Sequence, residues 1–190
     1  MGSVYTEYGT RVHEALEKVA TEGAEHTEET RPFAQILGKI LNKPGEHRYE
    51  YKMAVTSEKI PCEWFAPEVW LRSIADVLII NGEKAILLDY KSGKVKEDPT
   101  QLIIFVAMVF IHFPEVESVK AGYIWLLKGE VTSLTYTRNM LPHIWLGISP
   151  RLEQLQDAVD MGVFVAKPSP LCSWCPAKDI CPDAQQKRRR

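Results

Sequence analysis

The chain has 190 residues, of which 45% are hydrophobic and 25% are charged, and its formal net charge at pH 7 is −2. This length and composition predict one ordinary globular domain over 1–190 and exclude most multi-domain designs. A net charge so close to zero is no sign of a nucleic-acid partner, so any DNA-binding surface has to be a local patch of basic groups.

The longest apolar run is Leu102–Ile111. It is shorter than the roughly 20 residues that a membrane-spanning helix needs, so we expect a buried helix and no membrane partner. The chain does not open on a basic segment followed by an apolar stretch, and no secretory signal is therefore expected.

The first predicted element is a helix over 9–23. Val12, Leu16 and Val19 recur at helical spacing and form one apolar face, with His13 beside it. A short helix is predicted around Phe33–Leu41, and Pro44 and Gly45 end it.

Three strands are predicted next, over Tyr49–Val55, Glu68–Ile80 and Ala85–Lys91. The last two are separated by Asn81-Gly82, a dipeptide typical of a tight hairpin turn. They therefore pair as neighbours in one sheet.

The remaining pattern predicts an apolar helix over Gln101–His112, a hairpin of Val119–Leu127 with Val131–Tyr136, and a helix region over Leu141–Met161 interrupted by Pro150. The order of elements predicts an α/β fold with a mixed central sheet flanked by helices. A cysteine-bearing segment over 168–182 and a basic tail over 183–190 follow.

Two aspartates and a lysine are predicted to meet at the second hairpin strand. Asp89 and Lys91 are two residues apart on one strand and so project from the same face, and Asp76 on the preceding strand can lie beside Asp89. Two neighbouring carboxylates repel unless a cation joins them, and Mg²⁺ or Mn²⁺ suits such oxygen ligands. A lysine beside that ion can orient water or stabilise charge on a phosphate.

This local pattern alone leaves a simpler interpretation open, an exposed ion pair at the end of a strand. The chain also contains a decoy, Glu50-Tyr51-Lys52, which has the same acid-x-lysine spacing. The decoy has no acidic residue on a preceding hairpin strand and no glycine-bearing turn after it.

Four segments in this order resemble the motifs of the PD-(D/E)XK nuclease superfamily, and within it the RecB-like exonuclease branch. They are the helical histidine segment Gly9–Leu16, the acidic segment Ile74–Val77, the signature Leu88–Gly93 and the segment Gln101–Phe105, in which Phe105 replaces a tyrosine. The resemblance spans roughly residues 9 to 182 and implies a restriction-endonuclease-like core.

The resemblance also implies roles for these residues. His13, Asp76 and Asp89 would bind Mg²⁺ or Mn²⁺ together with the carbonyl of Tyr90. Lys91 would assist the attacking water. Gln101 would position Lys91 or the scissile phosphate. Glu50 matches a frequent acidic position on the first strand of this branch. Any of these residues taken alone has a purely structural interpretation.

Three of the four cysteines crowd into the C-terminal segment as Cys172, Cys175 and Cys181. Their spacing resembles the iron–sulfur segment of some nucleases in this branch, but the upstream cysteine of that pattern is missing here. Cys62 could complete a site only if the fold brings it to the tail. An iron–sulfur cluster, a Zn²⁺ ion and an empty, relic segment all stay open.

Arg72, Lys94 and Lys96 are candidates to line a DNA path, although a solvated strand end explains them equally well. Phe105 replaces a tyrosine that we expect to contact DNA. The chain is thus predicted to be a cytoplasmic DNA exonuclease, end-processing or acting on single strands, of a bacterial cell or phage-infected host. Its expected setting is recombination, replication or repair, with a protein partner possible. The alternatives are a structure-specific endonuclease and a non-catalytic DNA-binding module on the same fold.

Overall fold

A computed structural model describes residues 4–93, 99–126 and 128–181. They divide into two compact units, Met1–Gly147 and Ile148–Arg190. The helices and strands, in chain order, are α1 (Val4–Glu22), α2 (Ala34–Leu41), β1 (Glu46–Val55), β2 (Leu71–Asn81), β3 (Lys84–Lys91), α3 (Thr100–His112), β4 (Ser118–Trp125), β5 (Glu130–Thr137) and α4 (Leu141–Met161).

The five strands form one sheet in the order β1-β2-β3-β4-β5. β3 and β4 are parallel, and the other three neighbouring pairs are antiparallel. A parallel pair needs a crossover connection, and α3 provides it. The predicted α/β fold with a mixed central sheet and flanking helices, consistent with a restriction-endonuclease-like core, is confirmed.

Helices cover both faces of this sheet. α1 and α2 pack on one face through a buried cluster that includes Val12, Leu16, Leu37, Val77 and Leu88. The buried side chains of α3 lie outside that cluster. The side chain of Phe113, directly after α3, instead contacts the opposite side of β1. The sheet is therefore the middle layer of the first unit.

Several element bounds differ from the sequence prediction. α1 begins at Val4, and β2 begins only at Leu71 because the N–H groups of Val69 and Trp70 donate to Ala66 and Val55, which bends the chain before the strand. Pro150 lies inside α4 and does not end it, contrary to the predicted interruption. Because proline has no backbone N–H, the helix lacks one i→i−4 hydrogen bond at this residue.

The β2–β3 hairpin turns at Gly82-Glu83, one residue later than predicted, with a φ of 57° at Gly82. A positive φ is easily adopted by glycine, which explains why the turn centres there. Among the helices formed by the described residues, none is long and apolar enough to cross a membrane.

Candidate active site

Three acidic residues lie opposite one another on three neighbouring strands. The residues on either side of Glu50 in β1 pair with those on either side of Asp76 in β2. The β2–β3 pairing ends one residue short of Asp76 and Asp89, which the same register places opposite each other. The carboxylates of Glu50, Asp76 and Asp89 therefore form a row, hereafter the carboxylate row, at a fork where β2 and β3 separate.

Asp76 is at the centre of the row and is held by two groups. Its Oδ2 accepts a 2.6 Å hydrogen bond from the backbone N–H of Tyr90, which replaces a bond of the strand ladder. The Nδ1 of His13, from α1, lies 3.5 Å from the same oxygen. The helix histidine and the strand aspartate, 63 positions apart in the chain, thus meet as the sequence motifs imply.

Glu50 completes a possible cation site. His13, Glu50 and Asp76 each offer one ligand atom, and these three atoms all lie within 4.8 Å of one another. Among the described residues, this is the one such group of three His, Cys, Asp or Glu side chains. One imidazole and two carboxylates are donors that Mn²⁺ and Mg²⁺ accept, so these residues fit the cation that the motifs imply.

The backbone at Glu50 is unusual, with a φ of 45° in a non-glycine residue. The guanidinium carbon of Arg48 lies 4.8 Å from the centre of the Phe113 ring, and the Tyr51 ring centre lies 5.8 Å from it. Regular alternation would place these two residues, three positions apart, on opposite faces of the strand. The left-handed residue therefore reverses the alternation of β1. Backbone strain of this kind is typical of functional sites, because the surrounding structure has to hold it in place.

Asp89, Lys91 and Gln101 form a second set of contacts. The Nζ of Lys91 lies 2.6 Å from Oδ2 of Asp89 and donates a 2.7 Å hydrogen bond to Oε1 of Gln101. The Nε2 of Gln101, at the start of α3, donates to Oδ1 of Asp89 at 2.9 Å. The amide therefore bridges the aspartate and the lysine and fixes where the ammonium group lies.

Burial and mutual repulsion shift the proton affinities of these acids. The pKa of Asp89 is raised from 3.8 to about 6, because the carboxyl is buried and lies beside Asp76; Lys91 and His13 only partly oppose this. The pKa of Glu50 is raised by burial and by the charges of Asp76 and Glu17. Burial and the neighbouring carboxylates thus both oppose ionisation of Asp89 and Glu50.

The pKa of His13 is also raised, which for a histidine favours the charged form. Burial of the imidazole alone would lower its pKa, but the hydrogen bond and charge of Asp76, with the charges of Asp89 and Glu50, outweigh burial and raise it. The metal-free site therefore favours a protonated histidine. A bound cation would have to displace that proton before the ring nitrogen became a ligand.

Tyr90 packs between these groups with its side chain only 6% exposed. Its ring meets that of His13 edge to face, with ring centroids 5.5 Å apart. Burial raises the pKa of its phenol, as does the charge of Asp76. The tyrosine ring thus orients the histidine, whereas the predicted ligand role of the Tyr90 carbonyl stays a prediction.

A cavity of about 500 Å³ opens beside the row. Its walls come from α1, from Glu50 and from the residue after the signature lysine: Gly9, Thr10, His13, Glu14, Glu17, Glu50 and Ser92. A Cβ on Gly9 would come within 3.0 Å of the Ser92 hydroxyl, so glycine lets α1 approach β3 closely. His13 and Glu50 thus face open space that a substrate can enter.

The candidate DNA-binding residues have different outcomes. Arg72 is exposed on β2. Phe105 is only 7% exposed because it packs into the buried side of α3, and its predicted DNA contact stays a prediction. Lys94 and Lys96 lie outside the described residues.

The cysteines are all free and half-buried. Cys62 belongs to the first unit, and Cys172, Cys175 and Cys181 belong to the second. In the described part of the second unit, the three thiols do not form a group with all ligand atoms within 4.8 Å, and the thiol of Cys172 accepts from the Ser169 N–H. A metal at these three cysteines therefore stays a prediction.

Glu50 is the site residue that sequence reasoning undervalued. It belongs to the segment identified as a decoy, because no acidic residue lies on a strand that precedes it. Its acidic partner, Asp76, lies instead on β2, the strand that follows. The available signal was the family resemblance, which marks an acidic position on the first strand.

Comparisons with known proteins identify the superfamily of this chain. The sequence model of the PD-(D/E)XK nuclease superfamily matches residues 3–182. Among solved structures, that of SSO0001 is similar to this chain, with 14% identity over 94% of this chain and 80% of that one, at a TM-score of 0.41. A likeness at that level supports no inference about substrate. No curated protein sequence matches the chain.

Proposed function

The chain belongs to the PD-(D/E)XK nuclease superfamily, and we propose that it is a metal-dependent DNA exonuclease that hydrolyses phosphodiester bonds. The observation that carries this proposal is the carboxylate row, with His13 beside Glu50 and Asp76 and with Lys91 beside Asp89. A helix histidine is typical of the exonuclease branch that these sequence motifs resemble. Here the Nδ1 of His13 lies 3.5 Å from Oδ2 of Asp76.

His13, Glu50 and Asp76 would hold the cation, with Asp89 next in the row. When bound, Mg²⁺ or Mn²⁺ supplies Lewis-acid chemistry, lowering the pKa of a water molecule and neutralising charge on the phosphate. Repulsion within the row favours such a cation, because the charge of Asp76 raises the free energy of ionised Glu50 and Asp89, which are also buried.

The protein's own groups prepare the site. The Tyr90 N–H and His13 fix the carboxylate of Asp76 in one orientation. The side chain of Lys91 is 30% exposed, so its ammonium group can meet an incoming phosphate while Asp89 and Gln101 hold it. An ammonium group fixed at this position stabilises the negative charge that develops on the phosphate as water attacks.

Hydrolysis of end-labelled DNA tests the proposal. With Mn²⁺ present, the wild-type protein should release labelled nucleotides, whereas Asp89→Ala and Lys91→Ala should lose activity by about 100-fold or more, since each removes a charge from the reacting centre. Lys120→Ala, which removes an exposed lysine of β4, is the matched control. Equal product from all four proteins would refute the enzyme assignment.

Covalently closed circular single strands separate the two modes of cutting. An exonuclease leaves such circles intact and degrades the same sequence once it is linear. Loss of the circles would instead establish endonuclease action.

Within this proposal the protein acts on DNA ends in the cytoplasm, in phage or bacterial recombination, replication or repair, where it would join a protein partner. This setting is supported by the resemblance of the four motifs to the RecB-like branch.

A further inference from the structure

Two aromatic side chains stand at the tip of a turn in the connection between β1 and β2. Trp64 and Phe65 are the central residues of this turn, which the Ala66 N–H closes by donating to Glu63 at 3.1 Å. Phe65 is 84% exposed, and Trp64 is half-buried. A single exposed apolar residue is ordinary, but here a strongly exposed aromatic ring directly follows a second, half-buried one at the tip of a turn.

Two cations lie over these rings. The Nζ of Lys52 is 5.5 Å from the centre of the Trp64 ring. The guanidinium of Arg72 lies 5.5 Å from Trp64 and 5.7 Å from Phe65. In the described parts of the chain neither cation forms an ion pair with a carboxylate. These four residues, the aromatic platform, thus combine two aromatic rings with two positive charges.

The connection that carries the turn is fixed to the end of β1. The Cys62 N–H donates to Ala54 at 3.0 Å, the Trp70 N–H donates to Val55 at 2.9 Å, and Val55 forms a bridge with Pro61. The aromatic rings therefore extend from a connection tied down before and after the turn. A surface ordered in advance loses little conformational entropy when a ligand binds.

The aromatic platform lies on the side of the sheet where the cavity opens. Tyr51 contacts Phe113 beside α3, so the next residue, Lys52, points to the opposite side, on which α1 packs. Lys52 follows Glu50 by two positions, which is about 7 Å along a strand. A chain leaving the carboxylate row in this direction would reach the platform within one to a few nucleotides.

We propose that the aromatic platform binds single-stranded DNA beside the scissile phosphate, with bases stacked on Phe65 and Trp64 and phosphates held by Lys52 and Arg72. This inference names the substrate of the proposed nuclease and rests on that function for its place in the reaction. Bases of a single strand have free π faces, and stacking on protein aromatics accepts any sequence. In a duplex those faces are covered by neighbouring bases, so the platform selects single strands.

Binding of a fluorescent oligothymidine to the full chain in EDTA, where no strand is cut, tests the platform directly. Phe65→Ala should weaken binding by about 5-fold to 150-fold, the range for losing one stacked base. Phe65→Leu should weaken it similarly, because leucine keeps apolar bulk but has no π face. Phe164→Ala, at a 67% exposed aromatic of the second unit, is the matched control.

Two further measurements distinguish the contribution of base stacking from that of phosphate contacts. Arg72→Gln should reduce the slope of log affinity against log salt by about 0.7, the value for one phosphate contact on a single strand. A blunt duplex of the same length should show no loss of affinity on Phe65→Ala beyond about twofold, since its bases are not available for stacking.

Unchanged oligothymidine binding by both Phe65 variants would overturn the proposal, as would an equal loss for duplex and single strand. An effect of Phe65→Ala confined to association with another protein would also overturn it. Cleavage by the wild type with no dependence on Phe65 would refute the platform alone. Phe65-dependent binding without any Mn²⁺-dependent cleavage would refute the nuclease proposal and leave the single-strand site standing.

Discussion

Asp89 is expected to destabilise the metal-free protein once it is ionised. Its side chain is buried beside Asp76, and its pKa is raised from 3.8 to about 6. The folded state therefore holds the Asp89 proton about a hundred times more tightly than the unfolded state does. At about 1.4 kcal/mol for each factor of ten, ionisation lowers the free energy of unfolding by up to about 3 kcal/mol.

The sign of this effect follows from which state binds the proton. Since the folded pKa is the higher one, stability is lost as the pH rises from the unfolded value through the folded value. Asn at position 89 cannot ionise. The free energy of unfolding of Asp89→Asn minus that of the wild type should therefore increase by about 2 kcal/mol between pH 4 and pH 6.

Urea denaturation in EDTA across this pH range measures the difference. Contacts that asparagine loses with Lys91 and Gln101 add a constant, which cancels in the pH dependence. The range ends at pH 6 because titration of His13, whose pKa is raised from its ordinary value, would add a second pH dependence above it. Asp157→Asn makes the same chemical change at an exposed position of α4 and is the matched control.

A difference that stays flat with pH, or that falls, would refute the repulsion argument. At pH 7.5, Mn²⁺ should reverse the order of stability, because a cation binds the complete carboxylate row more tightly than a row with one charge removed.

The remaining predictions concern three other positions. Glu50→Gln should remove at least about half of the Mn²⁺-dependent rise in Tm, because it takes one charged oxygen ligand from the site; an unchanged rise would exclude Glu50 as a ligand. Gln101→Leu should lower kcat by about 100-fold with little change in KM, since Lys91 loses the acceptor that positions it, and steady-state kinetics that show an effect on KM alone would contradict this role. Arg138→Ala should lower the free energy of unfolding by about 2–4 kcal/mol in chemical denaturation. Its guanidinium donates to the backbone oxygens of Phe110, Phe113 and Val116 at 2.7–2.9 Å. A loss under about 0.5 kcal/mol would mean that water satisfies these carbonyl groups instead.

The sequence by itself determined the hairpin that carries Asp76 and Asp89. The two strands are joined by a turn of two residues, and so short a connection leaves a single register. The alternation of side chains then places Asp89 and Lys91 on one face, as their 2.6 Å contact shows. Local geometry is sufficient here because every step is between neighbours in the chain.

The contact between His13 and Asp76 could be predicted only from the motif resemblance. No local rule predicts contact between a helix and a strand so far apart in the chain. The contact between Lys91 and Gln101 crosses the connection between β3 and α3 and was expected on the same ground. The burial of Phe105 could not be read from its place in the Gln101–Phe105 segment, because it depends on how α3 packs against the rest of the fold.

Only the tertiary structure decided the place of Glu50. β1 and β2 are joined by residues 56–70, a connection too long to fix a register from the sequence. Pairing of the whole strands places Glu50 opposite Asp76, and a positive φ at Glu50 reverses the alternation on which a sequence pattern depends. Glu50 lies in the site although its local sequence pattern did not predict this. Strand pairing in the sheet, and not spacing along the chain, determines which side chains are neighbours.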